Sequence, residues 1–210
     1  MPGYLNSQGE PIPSVTEIIG CWKPNIDALL LWAANFGSKD KFKAGRYKGA
    51  DEGKERHQRI EQFLRGETKE ANHPSFSAYY RTLRPRLTGI EVEAKIVHPT
   101  RNFGGTIDLI AHTAPGLEII DWKHSRSYPK NSEAYRATYN AYWLQVSGYS
   151  LLLDEVRNTQ PIKATVINLS KTDTSYHIVE FSKEQLEQGR NVFIKMLEVY
   201  QTLGTACKAS

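Results

Sequence analysis

Two aspartates and a lysine lie on two neighbouring segments that have the composition of β-strands. Asp108 lies in GTIDLIAH, whereas Asp121 and Lys123 lie in LEIIDWK, and the residues TAPG between the segments are typical of a turn. If Thr113–Gly116 form a four-residue hairpin loop, Asp108 lies directly opposite Asp121, with the two Cβ atoms about 5 Å apart. Lys123 then points to the same face as Asp121, because alternate residues of a strand share a face. The spacing therefore predicts two carboxylates and an ammonium group at one place.

This arrangement indicates a metal site. Two carboxylates on facing strands repel each other unless a cation or a shared proton lies between them. Hard oxygen ligands in a small set suit Mg²⁺ or Mn²⁺, which keep open positions for water and for phosphate oxygens. The alternative is that one aspartate is a solvated edge residue and that the register is shifted by one residue. The spacing alone leaves both interpretations open.

The periodicity of the rest of the chain predicts the elements that position these residues. End signals and helical spacing predict a short helix capped by Ser14 or Thr16, and helices over residues 24–37, 50–64, 75–84, 132–156 and 183–203. Alternating or β-rich segments predict strands over residues 90–97, 105–112, 117–123, 162–169 and 175–181. Within residues 90–97, strict alternation places Glu91, Glu93 and Lys95 on one face. Because the strands lie between helical segments, the sequence predicts an α/β fold with a small mixed sheet flanked by helices.

Length and composition bound the class of protein. The chain has 210 residues, of which 40% are hydrophobic and 24% are charged, values expected of one globular domain. Its two cysteines, Cys21 and Cys207, are too few for a disulfide framework, a four-cysteine zinc site or an iron–sulfur cluster. No apolar run is as long as a membrane span, and the N-terminal residues MPGYLNSQGEPIPS lack the features of a secretory or transit signal. We therefore expect a cytoplasmic protein, without a membrane partner, from a bacterium or a phage-infected cell.

The charge of the chain permits a nucleic-acid partner without requiring one. The net charge is +4 and the pI is about 8.9, both mildly basic. Eight basic residues lie between Lys39 and Arg59 against four acidic ones, and further basic residues are scattered between Arg81 and Arg136. A fold that gathers these cations at one groove would bind a polyanion. For residues 39–59 taken alone, a solvated helix face of mixed charge is the favoured interpretation.

The order of these motifs resembles a known family of nucleases. GTID followed thirteen residues later by DWK resembles the core signature of the PD-(D/E)XK nuclease superfamily. Gln145 and Tyr149 in QVSGY, His57 ahead of an amphipathic helical stripe, and Glu93 on the preceding strand are similar to elements of the RecB-like exonuclease branch. The layout over residues 13–203 is most similar to the family of the mitochondrial genome-maintenance exonuclease and its phage and bacterial relatives. The resemblance implies a restriction-endonuclease-like core over residues 90–203, preceded by a helical part over residues 13–89, within one domain.

The resemblance also implies roles for individual residues. It implies that a divalent ion is held by His57, Asp108, Asp121 and the backbone carbonyl of Trp122. It implies a catalytic set of Glu93, Asp108, Asp121, Lys123 and Gln145, in which Lys123 orients the attacking water and stabilises charge in the transition state. Without the resemblance, Lys123 is equally a counter-ion for the aspartates, and Tyr149 and Gln145 are equally a core residue and a strand-end cap. Contacts with DNA are expected from Tyr149, Arg101, Arg126 and Lys171.

The implied function is a Mg²⁺- or Mn²⁺-dependent DNA exonuclease acting on single strands or strand ends in replication, recombination or repair. A recombinase, a helicase or a single-strand-binding protein would be its partner. The chain lacks the four cysteines of its cluster-bearing relatives and a GxxxxGK[ST] phosphate-binding loop, so neither an iron–sulfur cluster nor an ATP motor is expected. The alternative is a catalytically silent nucleic-acid-binding recombination accessory protein. The presence of Asp108, Asp121 and Lys123 favours the enzyme, and a restriction-type endonuclease would need a target-recognition insertion.

Overall fold

The computed structural model describes residues 3–21, 39–124 and 133–208, and within these it describes only the backbone of residues 39–50, 133–134 and 204–208. The strands are β1 (Tyr4–Leu5), β2 (Pro11–Ile12), β3 (Leu87–His98), β4 (Phe103–Thr113), β5 (Gly116–Lys123), β6 (Lys163–Leu169) and β7 (Tyr176–Ser182). The helices are α1 (Val15–Gly20), α2 (Lys39–Leu64), α3 (Pro74–Leu83), a 3₁₀ turn at Arg84–Arg86, α4 (Glu133–Arg157) and α5 (Lys183–Lys208). None of the helices in these ranges is long and apolar enough to span a bilayer.

A mixed sheet of five strands forms the centre of the molecule, in the order β3-β4-β5-β6-β7. All neighbours pair antiparallel except β5 and β6, which run parallel. A parallel pair needs a long crossover connection, and α4 lies in that connection. β1 and β2 form a separate small hairpin. This arrangement confirms the predicted α/β fold with a small mixed sheet flanked by helices.

The helices cover the two faces of the sheet with two hydrophobic clusters. On the first face, here the α4 face, side chains of α1, α4 and α5 pack around Ile107, Ile119 and Val166. On the second, the α2 face, side chains of α2 and α3 pack around Leu109, Ile120 and Trp122. Because both faces are covered, β4 and β5 are buried almost throughout. The site residues on these strands are consequently held by a close-packed core.

The helix ends follow local signals in the sequence. Ser14 caps α1 and forms a capping box with Glu17, which selects Ser14 over Thr16 as the capping residue. The helix predicted from residue 50 begins at Lys39, and it ends before Gly66, whose φ of +75° favours glycine. The helix predicted over residues 24–37 lies outside the described residues.

The register of the β4–β5 hairpin is the one that the spacing predicts. Leu109 pairs with Ile120 and His112 with Leu117, so Asp108 and Asp121 are the next residues on the two strands. The predicted four-residue loop is shorter in the structure, because Thr113 also pairs with Gly116 and leaves a two-residue turn. The alternative register, shifted by one residue, is therefore wrong.

The strict alternation predicted for residues 90–97 is wrong at Glu93. Ile90 and Val92 pack on the α2 face, whereas Ala94 and Ile96 pack on the α4 face. Residues two apart share a face in a regular strand, so the alternation is interrupted between Val92 and Ala94. The physical reason is the backbone of Glu93, whose φ of +52° lies in the left-handed region that residues other than glycine rarely adopt. Glu91, Glu93 and Lys95 consequently do not form one row.

Candidate active site

A cleft of about 750 Å³ opens where α2 faces the strands β3, β4 and β5. Its walls include His57 and Glu61 from α2, Glu93 from β3, Asp108 from β4, and Lys123 from the end of β5. The two interrupted positions of the sheet lie here. β4 places Ile107 on the α4 face and Leu109 on the α2 face, so its alternation is broken at Asp108, beside the break at Glu93. The two irregularities together bring carboxylates of β3 and β4 into the cleft below α2.

Three of these side chains form a group that fits a metal ion. One ligand atom from each of His57, Glu93 and Asp108 lies within 4.8 Å of the other two. Nδ1 of His57 is 3.6 Å from Oδ2 of Asp108, and the same oxygen accepts a hydrogen bond from the Trp122 N–H at 2.9 Å. Two carboxylates and an imidazole are ligands that Mg²⁺ and Mn²⁺ accept, with room for water.

The electrostatics of the group favour the binding of a cation. Burial and the neighbouring Asp121 raise the pKa of Asp108, although Lys123 opposes this. Burial, followed by the charge of Glu61, raises the pKa of Glu93 to about 7. Burial lowers the pKa of His57, so its imidazole is neutral and has a lone pair for a metal. A divalent cation would reverse the first two shifts, because an opposite charge favours the ionised carboxylate.

Asp121 contacts Lys123 at the end of β5 and Gln145 of α4. Its side chain is 1% exposed, its Oδ2 contacts the ammonium group of Lys123, and its Oδ1 accepts a hydrogen bond from Nε2 of Gln145 at 2.9 Å. The same Nε2 lies 2.9 Å from the hydroxyl of Tyr149, so Gln145 and Tyr149 project together as their spacing predicts. Burial alone would lower the pKa of Lys123, but Asp121 and Asp108 raise it and keep the group charged.

The structure brings most of the predicted site residues together. His57, Glu93, Asp108, Trp122, Lys123 and Lys171 line the cleft, and Asp121 and Gln145 are joined to Lys123 as described. The Trp122 carbonyl accepts a hydrogen bond from His57. Of the predicted ligands, His57 and Asp108 belong to the group of three, and its third member is Glu93. The role of Asp121 as a further ligand stays a prediction.

The four residues expected to contact DNA have four different outcomes. Lys171 is exposed at the cleft. Arg101 lies instead in the turn between β3 and β4, where Glu155 accepts hydrogen bonds from its Nε at 2.7 Å and its Nη2 at 2.9 Å. Tyr149 is 4% exposed within the hydrophobic cluster of the α4 face, which matches the alternative of a core residue. Arg126 lies outside the described residues.

Two histidines at the cleft were not predicted. The ring of His124 lies 5.4 Å from that of His57 and 4.9 Å from that of His73, measured between centroids. Burial and the neighbouring histidines lower the pKa of His124 to about 3. The sequence does contain one signal for His124, because this residue directly follows Asp121-Trp122-Lys123. Nothing in the sequence connects His73, which caps α3, with a strand end fifty residues later.

One of the comparisons with known proteins identifies a family. A model of the PD-(D/E)XK nuclease superfamily matches residues 28–207. Among solved structures, the crystal structure of SSO0001 is similar over 93% of this chain and 78% of that chain, with 12% sequence identity and a TM-score of 0.43. None of the curated proteins matches the chain in sequence. The family match covers all of the strands and helices that form the cleft.

Proposed function

Because this chain belongs to the PD-(D/E)XK nuclease superfamily, we propose that it is a divalent-metal-dependent DNA exonuclease that hydrolyses single strands or strand ends. The observation that carries the proposal is the group of His57, Glu93 and Asp108 with Lys123 in the same cleft. The residues fit a Mg²⁺ or Mn²⁺ ion, since buried carboxylates repel one another there and a neutral imidazole offers a lone pair. Bound at this group, the ion supplies Lewis-acid activation of water and phosphate.

Lys123 has the central role among the protein's own groups. Its ammonium group stays charged beside Asp121 and Asp108, and it lines the cleft in which the phosphate has to lie. It holds the attacking water by a hydrogen bond and stabilises the negative charge that develops on the phosphate oxygens. Asp121 orients the ammonium group, and Gln145 holds Asp121 from the other side. Gln145 is therefore proposed to act in positioning.

The substrate preference rests on the resemblance of His57, Gln145 and Tyr149 to the RecB-like branch, and so do the proposed roles in recombination and repair. These three residues are brought to one cleft or directly beside it, which supports the proposal. A recombinase, a helicase or a single-strand-binding protein is the proposed partner.

The experiment compares linear single-stranded, linear duplex and circular single-stranded DNA with Mg²⁺, with Mn²⁺ and with excess chelator. We expect linear substrates to be degraded only with metal, and the circle to be spared. Cleavage of the circle would contradict the exonuclease assignment and indicate an endonuclease. Full activity in chelator would refute the metal dependence.

A pair of lysine variants tests the site itself. Lys123→Ala is expected to lower the rate at least about hundredfold, the effect of losing one preorganised donor to the transition state. Lys163→Ala is the matched control, because Lys163 lies on the neighbouring strand β6 and pairs with Glu118 and Glu180 outside the cleft. Equal rates for the two variants would contradict the assignment of Lys123.

A further inference from the structure

A row of three histidines leads from the metal group to the N-terminus of α3. His57 belongs to the metal group, His124 stands against it edge to face, and His73 lies on the other side of His124. None of the roles proposed above uses His124 or His73. The hydrogen bonds of the row therefore point to a role for His124 and His73 that the proposed reaction does not include.

The hydrogen bonds of the row determine which nitrogen of His124 carries the proton. The Phe76 N–H donates to Nδ1 of His73 at 3.5 Å, as the first turn of α3 requires of its cap. A neutral imidazole that accepts at Nδ1 carries its proton on Nε2. Nε2 of His73 lies 3.3 Å from Nδ1 of His124, to which it donates. His124 consequently presents an N–H at Nε2.

That N–H has no acceptor among the described residues, and a second buried donor shares this condition. Nε2 of His124 and Nη1 of Arg56 are both buried, and neither has a hydrogen-bond partner among the residues that the structure describes. Unpaired buried donors are costly, and native proteins rarely keep them without a ligand or a role. The positive charges of Arg56 and Lys171 both act on His124. Two donors without partners, one of them on the cation Arg56, together with the exposed cation Lys171 indicate a place for an anion.

The cleft contains both acidic and basic side chains. Glu61, Glu93 and Asp108 are its acidic residues, and the cation is proposed to bind there. Lys54, Lys123 and Lys171 are its basic residues, and His124 belongs to the same lining. A phosphate would be repelled by the carboxylates without a metal and attracted by the lysines.

We propose that Arg56, His124 and Lys171 form a subsite for a phosphate of the substrate strand, next to the phosphodiester that is cleaved. The inference rests on the proposed function for the identity of the strand. His73 acts through His124, as a positioning residue that keeps the proton on Nε2. Binding to the subsite needs no metal, because all of its donors belong to the protein.

The test measures binding of a short single strand of thymidylate in EDTA. His124→Phe removes the donor and keeps the ring, and we expect about tenfold to hundredfold weaker binding, the effect of one hydrogen bond to a charged group. His124→Gln, which restores an amide N–H, is expected to recover part of the affinity. His112→Phe is the matched control, because His112 lies on β4 beside Glu91, away from the cleft. Unchanged binding by His124→Phe would overturn the subsite.

Two further measurements keep this result independent of folding and of hydrolysis. Lys171→Ala alters an exposed side chain and is expected to weaken binding of the same strand; unchanged binding would remove Lys171 from the subsite. Nitrogen-15 NMR of the metal-free protein is expected to show the His124 proton on Nε2 and a shift of that signal with inorganic phosphate. A proton on Nδ1 of His124 would overturn the proposal. That state would arise if His73 donated from Nδ1 to the Ser75 hydroxyl oxygen and accepted at Nε2 from His124. Loss of binding by His124→Phe in a protein that cleaves no DNA with any metal would refute the nuclease and leave the subsite intact.

Discussion

Replacing Asp108 by asparagine should stabilise the metal-free protein while abolishing its activity. Asp108 is 8% exposed, and burial, then Asp121 and Glu93, raise its pKa, so its charge is unfavourable in the folded state without metal. Asparagine keeps an oxygen that can accept the hydrogen bond from the Trp122 N–H and removes the charge. Relief of a buried repulsion is therefore the dominant effect on stability.

The size of the effect follows from the electrostatics of the pair. Two charges about 5 Å apart, the generic spacing of Cβ atoms on directly opposed strand residues, repel by about 3 kcal/mol at an effective dielectric constant of about 20. The ammonium group of Lys123 offsets a large part of this, so we expect a gain of about 1 kcal/mol and a rise in Tm of about 2–4 °C. Mn²⁺ at about one hundred times its Kd should stabilise the native protein by about 2.7 kcal/mol and the variant hardly at all.

The assay is thermal unfolding of both proteins in EDTA and in Mn²⁺. The order of their two melting temperatures should reverse between the two conditions. Without metal the variant melts higher, and with metal the native protein does. Glu118→Gln is the matched control, because Glu118 is equally buried on β5 but is compensated by Arg86 at 3.2 Å and Lys163 at 3.8 Å. It should lower Tm and keep the shift with Mn²⁺. A lower Tm of Asp108→Asn in EDTA, or a full Mn²⁺ shift in that variant, would refute the reasoning.

Four further substitutions test the surroundings of the site. Gly105→Ala places a Cβ 2.9 Å from the ring of Tyr149, so the free energy of unfolding should fall by about 1–3 kcal/mol. The rate of DNA hydrolysis should also fall, because Gln145 moves with Tyr149. Thermal unfolding and hydrolysis are measured on the same preparation. Tyr149→Phe removes only the hydroxyl beside Gln145 and should lower kcat without changing DNA affinity; weaker binding instead would make Tyr149 a DNA contact. Lys171→Ala should reduce the slope of log DNA affinity against log salt concentration by about one. Arg101→Ala should leave this slope unchanged, because the Arg101 guanidinium is paired with the Glu155 carboxylate. Equal slopes for the two variants would contradict this difference.

The local parts of the site could be predicted from the sequence because each rests on short-range rules. The turn after β4 specifies the register that places Asp108 and Asp121 next to each other. The spacing of four residues on α4 specifies that Gln145 and Tyr149 project together. Both inferences need only the geometry of a hairpin or a helix, which the chain determines within a few residues.

The remaining parts depend on contacts between distant segments. His57 was identified only by resemblance, because nothing local in α2 states which strand that helix will cover. Arg101 was expected to bind phosphate as an exposed cation, but the end of α4 brings Glu155 against it. His73 and His124 come together through the packing of α3 on the end of β5. A sequence pattern indicates which face of a helix or strand a residue lies on. The tertiary fold determines which other element packs against that face.

The backbone of Glu93 explains why one side of the site had to differ from the pattern. Left-handed backbone costs an ordinary residue about 1–2 kcal/mol, and Glu93 nevertheless adopts it in the middle of a strand. Directly opposite, Asp108 keeps a carboxylate in a buried position that disfavours its charge. Regular alternation on both strands would bury hydrophobic residues without either cost, but it would leave no carboxylates below α2 to meet His57. The two unfavourable features lie at the same level of the sheet and both contribute to the proposed cation site. The two hydrophobic clusters on the faces of the sheet supply the stability that tolerates them.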